Sequence, residues 1–215
     1  FCGIAFGMAG NTFQKMLGNP LASPDIIGVT SGASTVAVFC ILILHWSGNA
    51  VSIGAILGGM LVAFLIYRLS QGIGSNNGRM ILIGLGFQAF LQAVISYIIL
   101  RAAQYDVANA LRWLSGSLNN VTIEEAVRIV IVVIFMGSSL VYLSRRLMLL
   151  QLGEDFATTL GLNIQRTKLL LIVNAIILSA VATSISGPIA AVSFLSGPII
   201  TRICKGNQAN MLQAG

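Results

Sequence analysis

Charge is what this sequence has least of. Asp, Glu, Lys and Arg make up 8% of its 215 residues, with 6 acids against 12 bases. Soluble domains carry about a quarter of their residues charged, so a water-solvated globule is excluded. Histidine occurs once, at His45, and cysteine three times, at Cys2, Cys40 and Cys204, none in a metal-binding spacing. Isolated cysteines of this kind act as small apolar residues. His45 beside Trp46 reads as an interfacial anchor rather than a ligand. No cofactor or metal is expected. A phosphate loop is missing too: GIGSNNG, at 72–78, has glycines but no Gly-Lys-Ser/Thr ending, so the chain cannot be its own ATPase. The carboxylates suit catalysis poorly. Glu124 and Glu125 are adjacent, so on a helix they point in different directions, and no base is paired with them. The sequence also lacks an initiator Met and the zones of a signal peptide, and it reads as an internal piece of a longer protein.

What is present is apolar. Hydrophobic residues make up 56% and mean hydropathy is +0.91. They gather in runs at 1–13, 26–44, 51–67, 80–100, 129–143 and 169–185, followed by a proline-broken apolar stretch at 186–206. About 20 apolar residues cross the hydrocarbon, and helices satisfy their own backbone in lipid. The expectation is an all-α, polytopic transmembrane helix bundle with about seven membrane segments, some short or broken, forming one domain over 1–215. Net charge +6 does not point to nucleic acid, because the bases sit at the ends of apolar runs. Alternate connections hold Lys15, then Arg68 and Arg79, then Arg145 through Lys168, then Arg202 with Lys205. The connection at 45–50 holds none, and the remaining one has Arg101 and Arg112. The positive-inside rule then places 144–168 in the cytoplasm.

That loop, SRRLMLLQLGEDFATTLGLNIQRTK, is the longest well-charged interval between two apolar runs. A helix beginning near Glu154 would carry Glu154 and Asp155 in its first turn, where the helix dipole favours acids. Gly153 precedes them, and Gly161 supplies a stop. The segment 156–160 is small and apolar enough to seat in another protein's groove, with Ala157 expected at the closest approach. An ordered loop with no partner is the plainer reading of the same residues. Earlier in the chain, GNPLASPDIIGVTSGAS at 18–34 places Pro20 and Pro24 where they forbid a continuous helix. Asp25 is positioned to cap the next helix. Gly28 with Gly32, like Gly3 with Gly7, offers a face for close helix contact. Gln88 and Gln92 are four apart on the 80–100 run and so share a face. Amides in a membrane need partners or water, so this face is expected to look into the bundle, as glue between helices or as the lining of a path. The polar 101–113 interval suits a short helix on the membrane surface. S-G-P-I occurs at 186–189 and again at 196–199, which predicts two breaks with a short, kinked helix between them.

Together these stretches resemble the FecCD-type, BtuC-like permeases, the inner-membrane subunits of ATP-driven importers for iron–siderophores, haem and cobalamin. Residues 144–168 resemble that family's coupling loop, carried here by Gly153, Glu154, Asp155, Ala157, Leu160 and Gly161. Residues 18–34 resemble its N-P-L-A-x-P-x-x-L-G-V-x-x-G-A signature at Asn19, Pro20, Leu21, Ala22, Pro24, Gly28, Gly32 and Ala33, with Ile27 where Leu is usual. A W-x-x-G-S-L segment matches at Trp113, Gly116, Ser117 and Leu118. The final segment matches at Gly187, Ile189, Pro198 and Arg202, with Pro198 one residue late and Ile199 where His is common. The resemblance implies a permease subunit, not an enzyme, that forms the path for an iron chelate, haem or cobalamin. It implies a separate ATPase docked on the cytoplasmic loop, a second identical or homologous permease chain, and an extracytoplasmic substrate-binding protein. It also implies a multi-pass place in a bacterial inner membrane, with the family's first and last helices outside 1–215. Gln88 and Gln92 become candidates for the path. The rival class is an ion-coupled secondary transporter. Such proteins keep ionisable residues in mid-span, and these runs hold none there.

Overall fold

Long apolar runs punctuated by glycine and proline fold here into helices joined by short turns. The computed structural model describes residues 1–20, 22–71, 77–102, 104–119 and 121–203. Leu21, Cys204 and Lys205 lie outside the described residues, as does most of the 72–78 turn. In chain order the helices are α1 (Cys2–Leu17), α2 (Val29–Leu42), α3 (Asn49–Ser70), α4 (Asn77–Arg101), α5 (Gln104–Ser115), α6 (Ile123–Val132), α7 (Ser138–Gln151), α8 (Glu154–Thr159), α9 (Ile164–Ser186) and α10 (Ala190–Ile203). A 3-10 turn at Pro24–Ile27 precedes α2, and a π-helical turn at Val133–Gly137 joins α6 to α7. Among the described residues, four stretches are long and apolar enough to cross a membrane: Asn49–Ser70, Gly78–Arg101, Ile123–Gln151 and Ile164–Ser186. Helices α2 and α10 are apolar but shorter.

The described chain divides into two compact units. The first holds Phe1–Pro24, Val127–Ser179 and the described residues from Ala190 on. In it α1 packs against α10, α7 and the π turn, and α8 packs on α7. The predicted small-residue face of α1 is displaced. Gly3 faces open space, whereas at Gly10 the Ser193 carbonyl of α10 comes so close that no Cβ would fit. Gly137 in the π turn serves α1 similarly, since a Cβ there would lie 3.3 Å from the Met8 sulfur.

The second S-G-P-I does not break the chain as expected. Pro198 lies inside α10. A proline in a helix leaves the carbonyl four residues back without its N–H partner. Here that carbonyl belongs to Phe194, and Gln14 Nε2 of α1 donates to it at 2.9 Å. Only the first S-G-P-I is a true break, with Gly187 at φ 75 after the end of α9.

The second unit holds Asp25–Ala126 and Ala180–Ile189. In it α2 packs against α3, α4 and α5. Helix α2 is shorter than the 26–44 run predicts, because Gly28 adopts φ 70 and the helix begins only after it. The Asp25 carboxylate reaches the first turn of α2, where it accepts a hydrogen bond from the Thr30 hydroxyl. Gly28 and Gly32 do give the close contact expected of them. A Cβ on Gly32 would lie 2.7 Å from the Gly58 carbonyl oxygen and 2.8 Å from Val62. A Cβ on Gly28 would lie 2.7 Å from Ile66 Cδ1. Gly58 and Gly59 return the contact from α3, so α2 and α3 meet backbone to backbone.

Candidate functional site

The loop between α7 and α9 is built by backbone conformation first. α7 ends at Gln151, and Gly153 turns the chain with φ 116. Such an angle suits a residue without a Cβ. Helix α8 then starts at Glu154, so Glu154 and Asp155 hold its first two positions. At the other end Gly161 takes φ 80. Its N–H donates to the Thr158 carbonyl at 2.9 Å, and the Leu162 N–H donates to the Ala157 carbonyl at 3.0 Å. This pair of bonds is the Schellman arrangement, which satisfies carbonyls a helix end leaves open. Asn163 Oδ1 then accepts the Arg166 N–H at 3.0 Å and caps α9. The loop is thus a short, self-terminated knob, with its start, stop and restart each fixed by a named residue.

Ala157 does not sit on the outer face where the sequence reading expected the closest approach. Ala157 is 0% exposed, so it faces the body of its own chain. Phe156 is 52% exposed and Leu160 57%. They lie four apart and so share a helix face. Leu152 and Met148, each a further four residues back, are also exposed. The outward side of α8 is therefore large and apolar at Phe156 and Leu160, and the small residue is its inner seat. The sequence placed Phe156 within the 156–160 segment expected to seat in a partner's groove but did not single it out, although its position four before Leu160 was a usable signal.

The 18–34 signature forms the link between α1 and α2. Gly18 closes α1 with φ 63, and the Ala22 N–H donates to the Asn19 carbonyl at 3.1 Å. Pro20 is exposed, Ala22 and Pro24 are buried, and Pro24 opens the 3-10 turn. Gly28, just before α2, and Gly32 and Ala33 within it are buried. On α4, Gln88 and Gln92 are both exposed, so they are not glue inside this chain. The same helix carries Gly84, where the Ile26 backbone approaches too closely for any Cβ.

A third gathering lies where α3, α5, α6 and α9 end in the second unit. Thr122 and Glu125 form a capping box at the start of α6: the Thr122 N–H donates to Glu125 Oε2 at 3.0 Å, and the Glu125 N–H to Thr122 Oγ1 at 3.3 Å. Ser52 of α3 lies 3.3 Å from Glu125 Oε1 and 3.2 Å from the Ser184 carbonyl. Gly116 with φ 71 meets Gly187 with φ 75, and the Ser117 N–H donates to the Ser186 carbonyl at 2.8 Å. A Cβ on Gly187 would lie 2.6 Å from the Trp113 carbonyl oxygen. The W-x-x-G-S-L segment and the first S-G-P-I are therefore two halves of one backbone contact. His45 stands at φ 53, with Nδ1 3.6 Å from Asp106 Oδ2. Among the described residues, no group of three or more His, Cys, Asp or Glu is placed to hold a metal ion.

A sequence profile of the FecCD transport family matches residues 1–214. The chain belongs to that family. Among its FecCD relatives, the ferric enterobactin permease FepG of Escherichia coli (strain K12) is 32% identical over 212 residues, covering 99% of this chain and 64% of FepG. The ferric enterobactin permease FepD of the same organism is 36% identical over 197 residues, covering 90% and 58%. The cobalamin import permease BtuC of Halobacterium salinarum is 30% identical over 194 residues, covering 90% and 52%. The chain spans about three fifths of the length of the curated relatives it matches. A solved metal-chelate type ABC transporter in an inward-facing conformation superposes with TM-score 0.90 at 26% identity, covering 99% of this chain and 68% of that one. The all-helical permease fold expected from the sequence is the fold observed. FecCD proteins are transport components, so the chain is classed with these rather than with enzymes.

Proposed function

We propose that this chain is part of a multi-pass permease subunit of an ATP-driven importer, and that it helps form the path for a ferric siderophore, haem or cobalamin. Family membership along 1–214 carries the reading, and the names of the relatives supply the substrate class. On this reading the 144–168 loop lies in the cytoplasm of a bacterial cell and couples the permease to a separate ATPase subunit. The chain pairs with a second permease, identical or homologous, and receives substrate from an extracytoplasmic binding protein. Gln88 and Gln92 line or support the path. The ion-coupled alternative has no observation in its favour.

The loop's geometry supports a division of labour within the coupling element. Gly153, Gly161 and Asn163 hold its shape, Ala157 seats it, and Phe156 with Leu160 meet the ATPase. Each large apolar side chain that leaves water on docking contributes about 1.5–3 kcal/mol. The test is Phe156→Ser with Leu160→Ser in the assembled transporter. Both side chains are exposed, so the permease is expected to stay folded while ATPase co-purification and uptake fall sharply. Normal binding and uptake in that variant would overturn the reading.

A further inference from the structure

Helix α10 carries a proline in its interior, and the bond that proline forfeits is made instead by a side chain of another helix. Pro198 has no N–H for the Phe194 carbonyl, and the Gln14 amide of α1 donates to it at 2.9 Å. Gln14 is buried. The residue before the proline is Gly197, and the volume its Cβ would fill is taken by Gln14 Oε1. The amide therefore lies in a notch that the Gly197–Pro198 pair creates: the glycine leaves room for it and the proline leaves it an acceptor.

We propose that Gln14 is a detachable latch on a hinge at Gly197–Pro198, and that α10 bends there when the latch opens. The two halves of α10 are held unequally. On the N-terminal side, the Ser193 carbonyl is pressed onto Gly10 of α1 with no room for a Cβ between them. Exposed residues occur on both sides, Ala191, Val192 and Leu195 before the proline and Ile199, Arg202 and Ile203 after it, so the backbone contact at Gly10 is what sets the N-terminal half apart. Kinks in helices fall at proline and at small residues because the ladder is already interrupted there. An ordinary helix resists bending through its own i to i−4 bonds, whereas here one side-chain bond bridges the gap. That bond can open without unwinding a turn. In lipid the freed carbonyl needs another donor, so the open state lasts only while water or a neighbour supplies one. That the hinge moves during ATP-driven transport rests on the function proposed above. The latch itself does not.

The test has two parts, both on the whole protein in its membrane. Melting midpoints are compared for the wild type, Gln14→Met, Pro198→Ala and the double variant. Met matches Gln in length without donating, so Gln14→Met is expected to lower the midpoint by about 2–4 °C. In the Pro198→Ala background residue 198 offers its own N–H to Phe194, so the same change should cost less than half as much. Equal lowering in both backgrounds would overturn the latch. For the hinge, spin labels at Arg146→Cys and Ile203→Cys, with Cys2, Cys40 and Cys204 replaced by Ser, report the separation of α7 and the end of α10. The distance distribution is expected to shift between nucleotide-free and ATP–vanadate states of the assembled transporter, and Pro198→Ala should abolish the shift. A distribution unchanged by nucleotide in an active wild-type transporter would overturn the hinge. Uptake that ignores ATP would instead sink the importer reading, and the melting comparison would still judge the latch.

Discussion

At Gly161 the end of α8 turns on a single φ of 80. A side chain there is strained whatever space surrounds it, at a cost of about 1 kcal/mol or more. Gly161→Val is therefore expected to loosen the end of α8 and to uncouple uptake from ATP hydrolysis, with the membrane helices still inserted. Co-purification with the ATPase plus uptake checks this. Ala157→Trp reaches the same end by another route. Because Ala157 is buried in its own chain, the larger side chain overpacks the seat of α8, which typically costs about 1–3 kcal/mol. Limited proteolysis within 152–163 separates the two accounts: faster cleavage in Ala157→Trp before any ATPase is added marks an unseated loop, while unchanged cleavage with lost binding would return Ala157 to the outer face. A third residue tests packing alone. Gly32→Val places a Cβ 2.7 Å from the Gly58 carbonyl, a backbone atom that cannot move aside, so the yield of folded protein should drop. Wild-type yield and melting would show that α2 and α3 have slack.

Among the elements, the bounds of α8 were legible because the glycines that set them act through their own backbone. Gly153, Glu154 and Gly161 fixed where α8 starts and stops, and the observed bounds follow them. The direction of the α8 side chains was not legible. It depends on which face meets α7, a tertiary contact outside any local pattern. Helix α10 shows the same limit more sharply. Local rules end a helix near Pro198, and the helix continues because Gln14, at the far end of the chain, makes the missing bond. Gly28 took the left-handed turn and became the N-cap of α2, a start the 26–44 run alone did not mark, and Asp25 meets the first turn through the Thr30 hydroxyl. The 18–34 link should still depend on its prolines. Pro20→Ala with Pro24→Ala relaxes the chain between Gly18 and the 3-10 turn, and is expected to lower the amount of folded protein in the membrane. Pro24 should account for most of the loss, since it is buried and Pro20 is not. Equal yields for the double variant and wild type would make the signature dispensable for folding.

For the molecule as a whole, the exposed amide face of α4 raises the question of what meets it. Gln88 and Gln92 are polar side chains on a helix that is apolar and long enough to span a bilayer. Facing lipid they would have no partners, at a cost of about 1–3 kcal/mol for each unsatisfied group on mutational scales. Water in a path, or a second chain across it, removes that cost. On the function proposed above, with two chains around a central path, both glutamines would stand at its wall. The expectation is that Gln92→Cys in a cysteine-free background crosslinks two permease chains in native membranes through a short bifunctional thiol reagent. Phe90→Cys on the same helix should not, because Phe90 is exposed and apolar and suits lipid. Gln92→Leu should then change uptake while leaving co-purification with the ATPase intact, since the residue lies on α4 and not on the 144–168 loop proposed to couple the two. Efficient thiol labelling at Gln92→Cys with only monomers on the gel would count against a shared path. Unchanged uptake in Gln92→Leu would show that the amide is not needed there, and the wall of the path would have to be sought on another helix.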